Sequence, residues 1–128
     1  MNLLVDSHTF IWSYDEQHKL SRKALQAMSD PANNLFLSLV SIWEIQIKIM
    51  LGKFKFTDPL ADVISEQQKA NGFQLLPVSL PHILALENLP PHHKDPFDRL
   101  LISQTIVENM TLISGDSLFP LYPVNLLW

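Results

Sequence analysis

Apolar residues fall along the chain in short blocks separated by caps and turns. Leu3-Leu4-Val5 is a continuous run that stops at Asp6, the pattern of a strand buried on both faces. Ser7 to Ser13 opens a short helix, and Ser21 is an N-cap for a second helix to about Met28. The stretch Asp30-Pro31-Ala32-Asn33-Asn34 reads as a turn, and Leu35 to Leu39 as a second strand. Ser41 is the expected cap of a helix over Ile42 to Leu51, with Gly52 at its C-terminal end. Ile42, Trp43, Ile45, Ile47, Ile49 and Met50 leave that helix apolar on most sides, which predicts burial on more than one. Asp58-Pro59 is a cap followed by proline at the first helical position, opening a helix to about Ala70 that Asn71-Gly72 closes. Phe73 to Val78 is a third strand, and His82 to Asn88 a short helix. Leu89 to Lys94 is a loop, after which Asp95-Pro96 repeats the helix-start signature. Leu100, Leu101, Ile102, Thr105, Ile106 and Val107 mark the helix that follows. Thr111 to Ser114 is a fourth strand and Val124 to Leu127 a last short one.

Strands and helices alternate from end to end. That order implies parallel strands joined by helical crossovers, an α/β sandwich whose binding sites lie beyond the carboxyl ends of its strands. Asp6 and Asp116 fall there, after the first and fourth apolar runs.

Composition narrows the chemistry. The 128 residues suit one domain, and 47% hydrophobic content is ample for its core. Charged residues reach only 17%, which leaves much of the surface neutral or covered by a partner. A net charge of -4 argues against a broad basic face for nucleic acid, but not against a phosphate held through a metal ion, which reverses the local sign. With no cysteine, disulfides, thiolate metal sites and cysteine nucleophiles are excluded. Neither a signal peptide nor an apolar segment of roughly 20 residues is present, so the expectation is a soluble, cytoplasmic protein.

The acidic residues carry the candidate chemistry, and each has an ordinary alternative. Asp6 suits a helix N-cap or turn. Glu44, three residues after Ser41, fits a capping box. Asp95 is a natural cap before Pro96, Asp98 falls at the third helical position, and Asp116 after Gly115 suits a turn. Their placement says more than their identities. In a parallel α/β layer, strand carboxyl ends and the following helix N-termini share one edge. Four carboxylates crowded there would repel unless protonated or bound to a cation. Oxygen-only ligands suit Mg²⁺ or Mn²⁺, ions that promote phosphodiester hydrolysis.

Four segments then carry a family likeness: Leu3-Leu4-Val5-Asp6-Ser7-His8-Thr9, Val40-Ser41-Ile42-Trp43-Glu44-Ile45, His93-Lys94-Asp95-Pro96-Phe97-Asp98-Arg99-Leu100-Leu101-Ile102 and Leu112-Ile113-Ser114-Gly115-Asp116. In these, and in their order, the chain resembles PIN domains, in particular VapC-type toxins of bacterial toxin–antitoxin modules. The resemblance implies a single PIN-like domain over residues 1–128: a three-layer sandwich with a central, mostly parallel sheet of four to five strands flanked by helices. It further implies a Mg²⁺- or Mn²⁺-dependent endoribonuclease that cuts RNA, forms a homodimer and is neutralised by a small antitoxin. Carried over by position, Asp6, Glu44, Asp98 and Asp116 match the family's acidic quartet. Asp98 fits the third place better than Asp95, because Leu101-Ile102 follows at the expected spacing; Asp95 is left as the cap or a secondary ligand. Ser114 stands where a hydroxyl often precedes the last acid.

Other residues are weaker candidates. Arg99 could pair a substrate phosphate, although an exposed helical residue in a salt bridge is the preferred reading. His92 and His93 are expected in a solvated loop, and His8 exposed or satisfied within the core. Lys48, Lys53 and Lys55 could guide RNA or simply end a helix. Trp12, Trp43, Phe54 and Phe56 are expected in the core or at an interface rather than as stacking platforms. Two rival functions remain at this level. One is a non-catalytic α/β partner-binding module whose acids are helix caps. The other is a metal-dependent phosphatase, which normally wants a second Asp two residues after the first and meets His8 instead.

Overall fold

The computed structural model covers Met1 to Trp128. Five strands form one sheet: β1 (Asn2–Val5), β2 (Asn34–Ser38), β3 (Gln74–Leu76), β4 (Thr111–Ile113) and β5 (Asn125–Leu127). Six α-helices connect them: α1 (Ser7–Asp15), α2 (Arg22–Ser29), α3 (Leu39–Met50), α4 (Leu60–Asn71), α5 (Leu80–Ala85) and α6 (Pro96–Val107). All strand pairs are parallel, in the order β3-β2-β1-β4-β5. Val5 therefore lies beside both Leu37 and Ile113, and the strands end along a common edge.

The period of two along β1 separates two cores. Leu3 and Val5 face one side, where they meet Phe10 of α1, Ala24 of α2, Ile45 of α3 and Val63 of α4. Leu4 faces the other side and packs with Leu101 and Ile102 of α6, together with Phe119 and Tyr122. All three β1 residues are fully buried, which gives the continuous apolar run its physical reason. The result is the expected three-layer α/β sandwich, with all five strands parallel.

Three helix starts differ from the sequence expectation. Helix α3 begins at Leu39, not Ile42, because Ser38 caps it: its Oγ accepts the Val40 N–H at 3.1 Å. Ser38 is selected by a distant contact, since its hydroxyl also donates to Gln104 Oε1 of α6. Ser41 is instead a buried residue inside the helix, so Glu44 is in the second turn and belongs to no capping box. Helix α4 starts at Leu60 with Pro59 in the cap position, while Asp58 accepts the Tyr14 hydroxyl at 2.7 Å. Helix α5 starts at Leu80, ahead of His82. The expectation that α3 is buried on several sides also fails. Only Val40, Ser41 and Ile45 are buried, whereas Trp43 is 59% and Met50 77% exposed.

Candidate metal centre

The chain builds outward from β1 to β2 and β3, then returns to add β4 and β5 on the other side. The crevice beyond the ends of β1 and β4 is thus the topological switch point, where parallel α/β sheets bind ligands. Asp6 follows β1 directly and Asp116 lies just past β4.

Asp6 is both a cap and a member of this crevice. Its Oδ1 accepts the Thr9 N–H at 2.8 Å, capping α1, and its Oδ2 accepts the Ser114 hydroxyl. Ser114 Oγ in turn accepts the Asp116 N–H at 3.1 Å, so one hydroxyl ties the two acids together. Asp116 Oδ1 is held by the Leu118 N–H at 2.8 Å. Across the crevice, Glu44 accepts the hydroxyl of the buried Ser7, the first residue of α1.

Helix α6 supplies the remaining acids. Asp95 caps it through Oδ1 to the Phe97 N–H at 2.8 Å. Asp98 makes no hydrogen bond to that cap and projects from the first turn into the crevice. It belongs to two clusters in which ligand atoms lie within 4.8 Å of one another: Glu44, Asp95 and Asp98, and His93, Asp98 and Asp116. Asp98 is therefore the shared member. Asp6 lies outside both clusters and joins them through Ser114.

The electrostatics follow from this crowding. Burial pushes the Asp98 carboxyl from 3.8 up to about 7, helped by the charges of Asp95, Glu44, Asp116 and Asp6 in that order. No lysine or arginine pairs with any of these acids. Excess negative charge, oxygen donors from several elements and the absence of a lysine or arginine partner together fit a hard divalent cation. Two groups of side chains could hold such an ion, Glu44 with Asp95 and Asp98, and His93 with Asp98 and Asp116, while Asp6 lies outside both.

His93 is the residue that sequence reasoning misplaced. It is buried, not solvated. The Tyr122 hydroxyl accepts its main-chain N–H at 2.8 Å and lies 3.1 Å from Nδ1. Nε2 points at Asp116 Oδ2, 3.4 Å away, and at Asp98 Oδ2, 3.8 Å away. A Tyr122 hydroxyl that gives its proton to Nδ1 leaves the hydrogen on Nε2, facing both carboxylates. No periodicity marks this residue, because its partner lies 29 residues later. His92 is exposed, as expected, and so is His8.

Arg99 turns away from the acids. Its guanidinium donates to the carbonyl of Pro90 at 2.8 Å, with longer contacts to those of Leu86 and Leu89, and so fastens the loop ahead of α6. It is neither in a salt bridge nor facing the crevice. Phe54 and Phe56 meet edge to face at 4.8 Å against the core, as expected of them. Trp43 is mostly exposed and lines an apolar groove with Leu39, Val78, Phe97 and Leu100. On one flank of the acids a second groove runs from Glu44 and Asp95 past Lys48, Lys53 and Lys94.

Fold and site together define a parallel α/β domain with an acidic centre suited to a divalent cation. The chain belongs to the PIN domain family, whose sequence pattern matches residues 3–124. PIN domains are generally nucleases that use divalent metal ions. The chain is similar in structure to VapBC2 from Rickettsia felis bound to a DNA fragment from their promoter, with a TM-score of 0.75 and 16% identity over 98% of this chain and 97% of that one. It is also similar to FitAcB from Neisseria gonorrhoeae (TM-score 0.62, 13% identity, 97% and 95% covered). A third similar structure is VapBC-1 from nontypeable Haemophilus influenzae (TM-score 0.57, 16% identity, 91% and 87% covered). No curated protein sequence matches it. No helix is long and apolar enough to cross a membrane.

Proposed function

We propose that this chain is a metal-dependent endoribonuclease, the toxin of a toxin–antitoxin module, with Asp6, Glu44, Asp98 and Asp116 holding Mg²⁺ or Mn²⁺. The observation that carries the reading is Asp98, shared by two clusters of possible ligands at the switch point with no lysine or arginine partner. A bound cation supplies charge neutralisation at the scissile phosphate and a lowered pKa for its water. The chain's own residues orient the carboxylates. Ser7 fixes Glu44, Ser114 fixes Asp6 and the main chain of Asp116, and Tyr122 fixes the His93 ring that faces Asp98 and Asp116. Asp95 is a secondary ligand through its free oxygen. The lysine-lined groove beside Glu44 offers the RNA backbone a local positive track despite the acidic whole.

The partner-binding alternative treats the acids as helix caps. Asp6 and Asp95 do cap helices, but Glu44 and Asp98 do not, so capping leaves the centre unexplained. Protein partners have their own support. The structural neighbours VapBC2 and VapBC-1 and a toxin–antitoxin complex from Klebsiella pneumoniae motivate a cognate antitoxin. The exposed apolar side chains of Trp43, Leu80, Ile83 and Leu84 suit an antitoxin and a second copy in a homodimer. A cytoplasmic location accords with this role.

The test is cleavage of mixed single-stranded RNAs by purified protein, with Mg²⁺, with Mn²⁺ and with a chelator, beside Glu44→Gln and Asp98→Asn. Metal-dependent cleavage lost in both variants supports the reading. Full activity in both would remove these residues from the catalytic centre.

A further inference from the structure

Beside the acids, on the flank away from the lysine groove, lies a cavity of about 440 Å³. Asp6 and Asp116 form one wall. Trp12, Trp128, His8 and Lys19 form the rest, around Thr9 and Gly115. Its size is within the range of about 300–1,000 Å³ that accommodates small ligands. The rings do not stack flat on one another. Trp12 packs against the core and meets His8 at 5.7 Å and 47°, and Trp128 at 6.1 Å and 52°. Lys19, ion-paired with Glu16, sits 6.0 Å over the Trp12 ring. Trp128 keeps 37% of its surface exposed at the cavity.

The indole is nonetheless built into the centre. A Cβ on Gly115 would lie 2.8 Å from Trp128 Cε2 and 3.0 Å from Nε1. Glycine at this position lets the ring rest against the backbone one residue before Asp116. The aromatic wall and the carboxylates are thus parts of one surface.

We propose that this cavity is a base-binding subsite for an unpaired nucleotide of the RNA, next to the phosphate held at the carboxylates. The proposal rests on the nuclease reading and adds to it a place for one base beside the carboxylates. Any phosphate at Asp6 and Asp116 brings its neighbouring nucleotide to the cavity mouth. Every base has a face that stacks on an aromatic ring, but a base inside a duplex already has both faces covered. The strand would run from the lysine groove across the acids to the aromatic wall. Stacking then supplies affinity that a chain of net charge -4 does not obtain from a basic face.

The test uses the full chain with Trp43→Phe, which leaves Trp12 and Trp128 as the only indoles, and a 12-nucleotide RNA with Mg²⁺. Emission and cleavage are followed on the same samples. Single-stranded RNA should quench the indoles, while the same sequence as a duplex should not. Trp128→Ala should weaken single-strand binding by about 5- to 150-fold. An abasic nucleotide walked along the strand should give a similar loss at one position in the Trp128-containing chain, and no further loss in Trp128→Ala. The abasic series needs no indole variant, and Trp128→Phe provides a milder one. Cleavage with no effect of Trp128→Ala or of any abasic position would overturn the subsite while leaving the nuclease intact. Quenching by single strands without cleavage would support the subsite and count against the catalytic reading. Equal quenching by duplex, or none by either form, would overturn the subsite.

Discussion

Asp98→Asn should make the metal-free protein more stable while removing its response to metal. The substitution keeps the shape of the side chain and deletes the charge shared by two clusters of possible ligands. In the folded chain the Asp98 carboxyl is pushed up to about 7 from 3.8, so the folded state holds that proton more tightly than the unfolded state. The sign follows directly. The favourable contribution is fully present below about pH 4 and is lost as pH rises through 7. The rise from 3.8 to about 7 corresponds to roughly 4 kcal/mol at pH 8. The side chain is 26% exposed, and solvent screening brings the expected penalty to about 2–3 kcal/mol. Asparagine does not ionise and escapes it. With a chelator at pH 8, Asp98→Asn should therefore melt roughly 6–12 °C above the unmodified chain. At pH 5 the gap should shrink by more than half. Adding Mn²⁺ at pH 8 should raise the melting temperature of the unmodified chain and barely move the variant's. Calorimetric melts at both pH values measure all of this. A variant less stable at pH 8, or equally displaced at pH 5 and 8, would refute the argument from charge crowding.

Ser114→Ala removes the hydroxyl linking Asp6 to the Asp116 main chain, and should cost about 1–3 kcal/mol in urea unfolding. The same variant should weaken Mn²⁺ binding roughly 10- to 100-fold, as for other lost ligand-orienting partners. Tyr122→Phe leaves the buried His93 N–H without its acceptor, with an expected loss of about 1–3 kcal/mol by the same measurement. Lys48→Gln combined with Lys53→Gln should lower kcat/KM on single-stranded RNA with kcat retained at saturation. The log–log salt slope of RNA binding should fall by roughly 1.4 for two lost phosphate contacts, as read by titration at several salt concentrations.

Much of this architecture was legible in the sequence because local signals agreed with the tertiary outcome. The Leu3-Leu4-Val5 run and its terminal Asp6 marked the central strand and an acid that caps α1 at the edge of the candidate site. Asp95-Pro96 marked the start of α6 correctly and thereby placed Asp98 in its first turn. The failures share one cause, contacts between residues far apart in the chain. Ser38 and Ser41 are equally good caps by type, and a contact with Gln104, 66 residues away, decides between them. That choice moved Glu44 out of a capping box and gave it to Ser7. His93 looked solvated because its partner Tyr122 lies in the last tenth of the chain. Arg99 reads as a surface salt-bridge residue because backbone carbonyls, which leave no mark in a sequence, take its guanidinium. Trp12 and Trp128 lie at opposite ends of the chain, so only the fold brings them to one cavity beside the acids.

The central claim is that Asp98 anchors a divalent-cation centre, and titration calorimetry of Mn²⁺ into the purified chain tests it most directly. The unmodified protein should show saturable Mn²⁺ binding, and Asp98→Asn should bind at least roughly 100-fold more weakly, as expected when a directly coordinating carboxylate is lost rather than one of its orienting partners. Binding of Mn²⁺ by Asp98→Asn as tightly as by the unmodified chain would contradict the account.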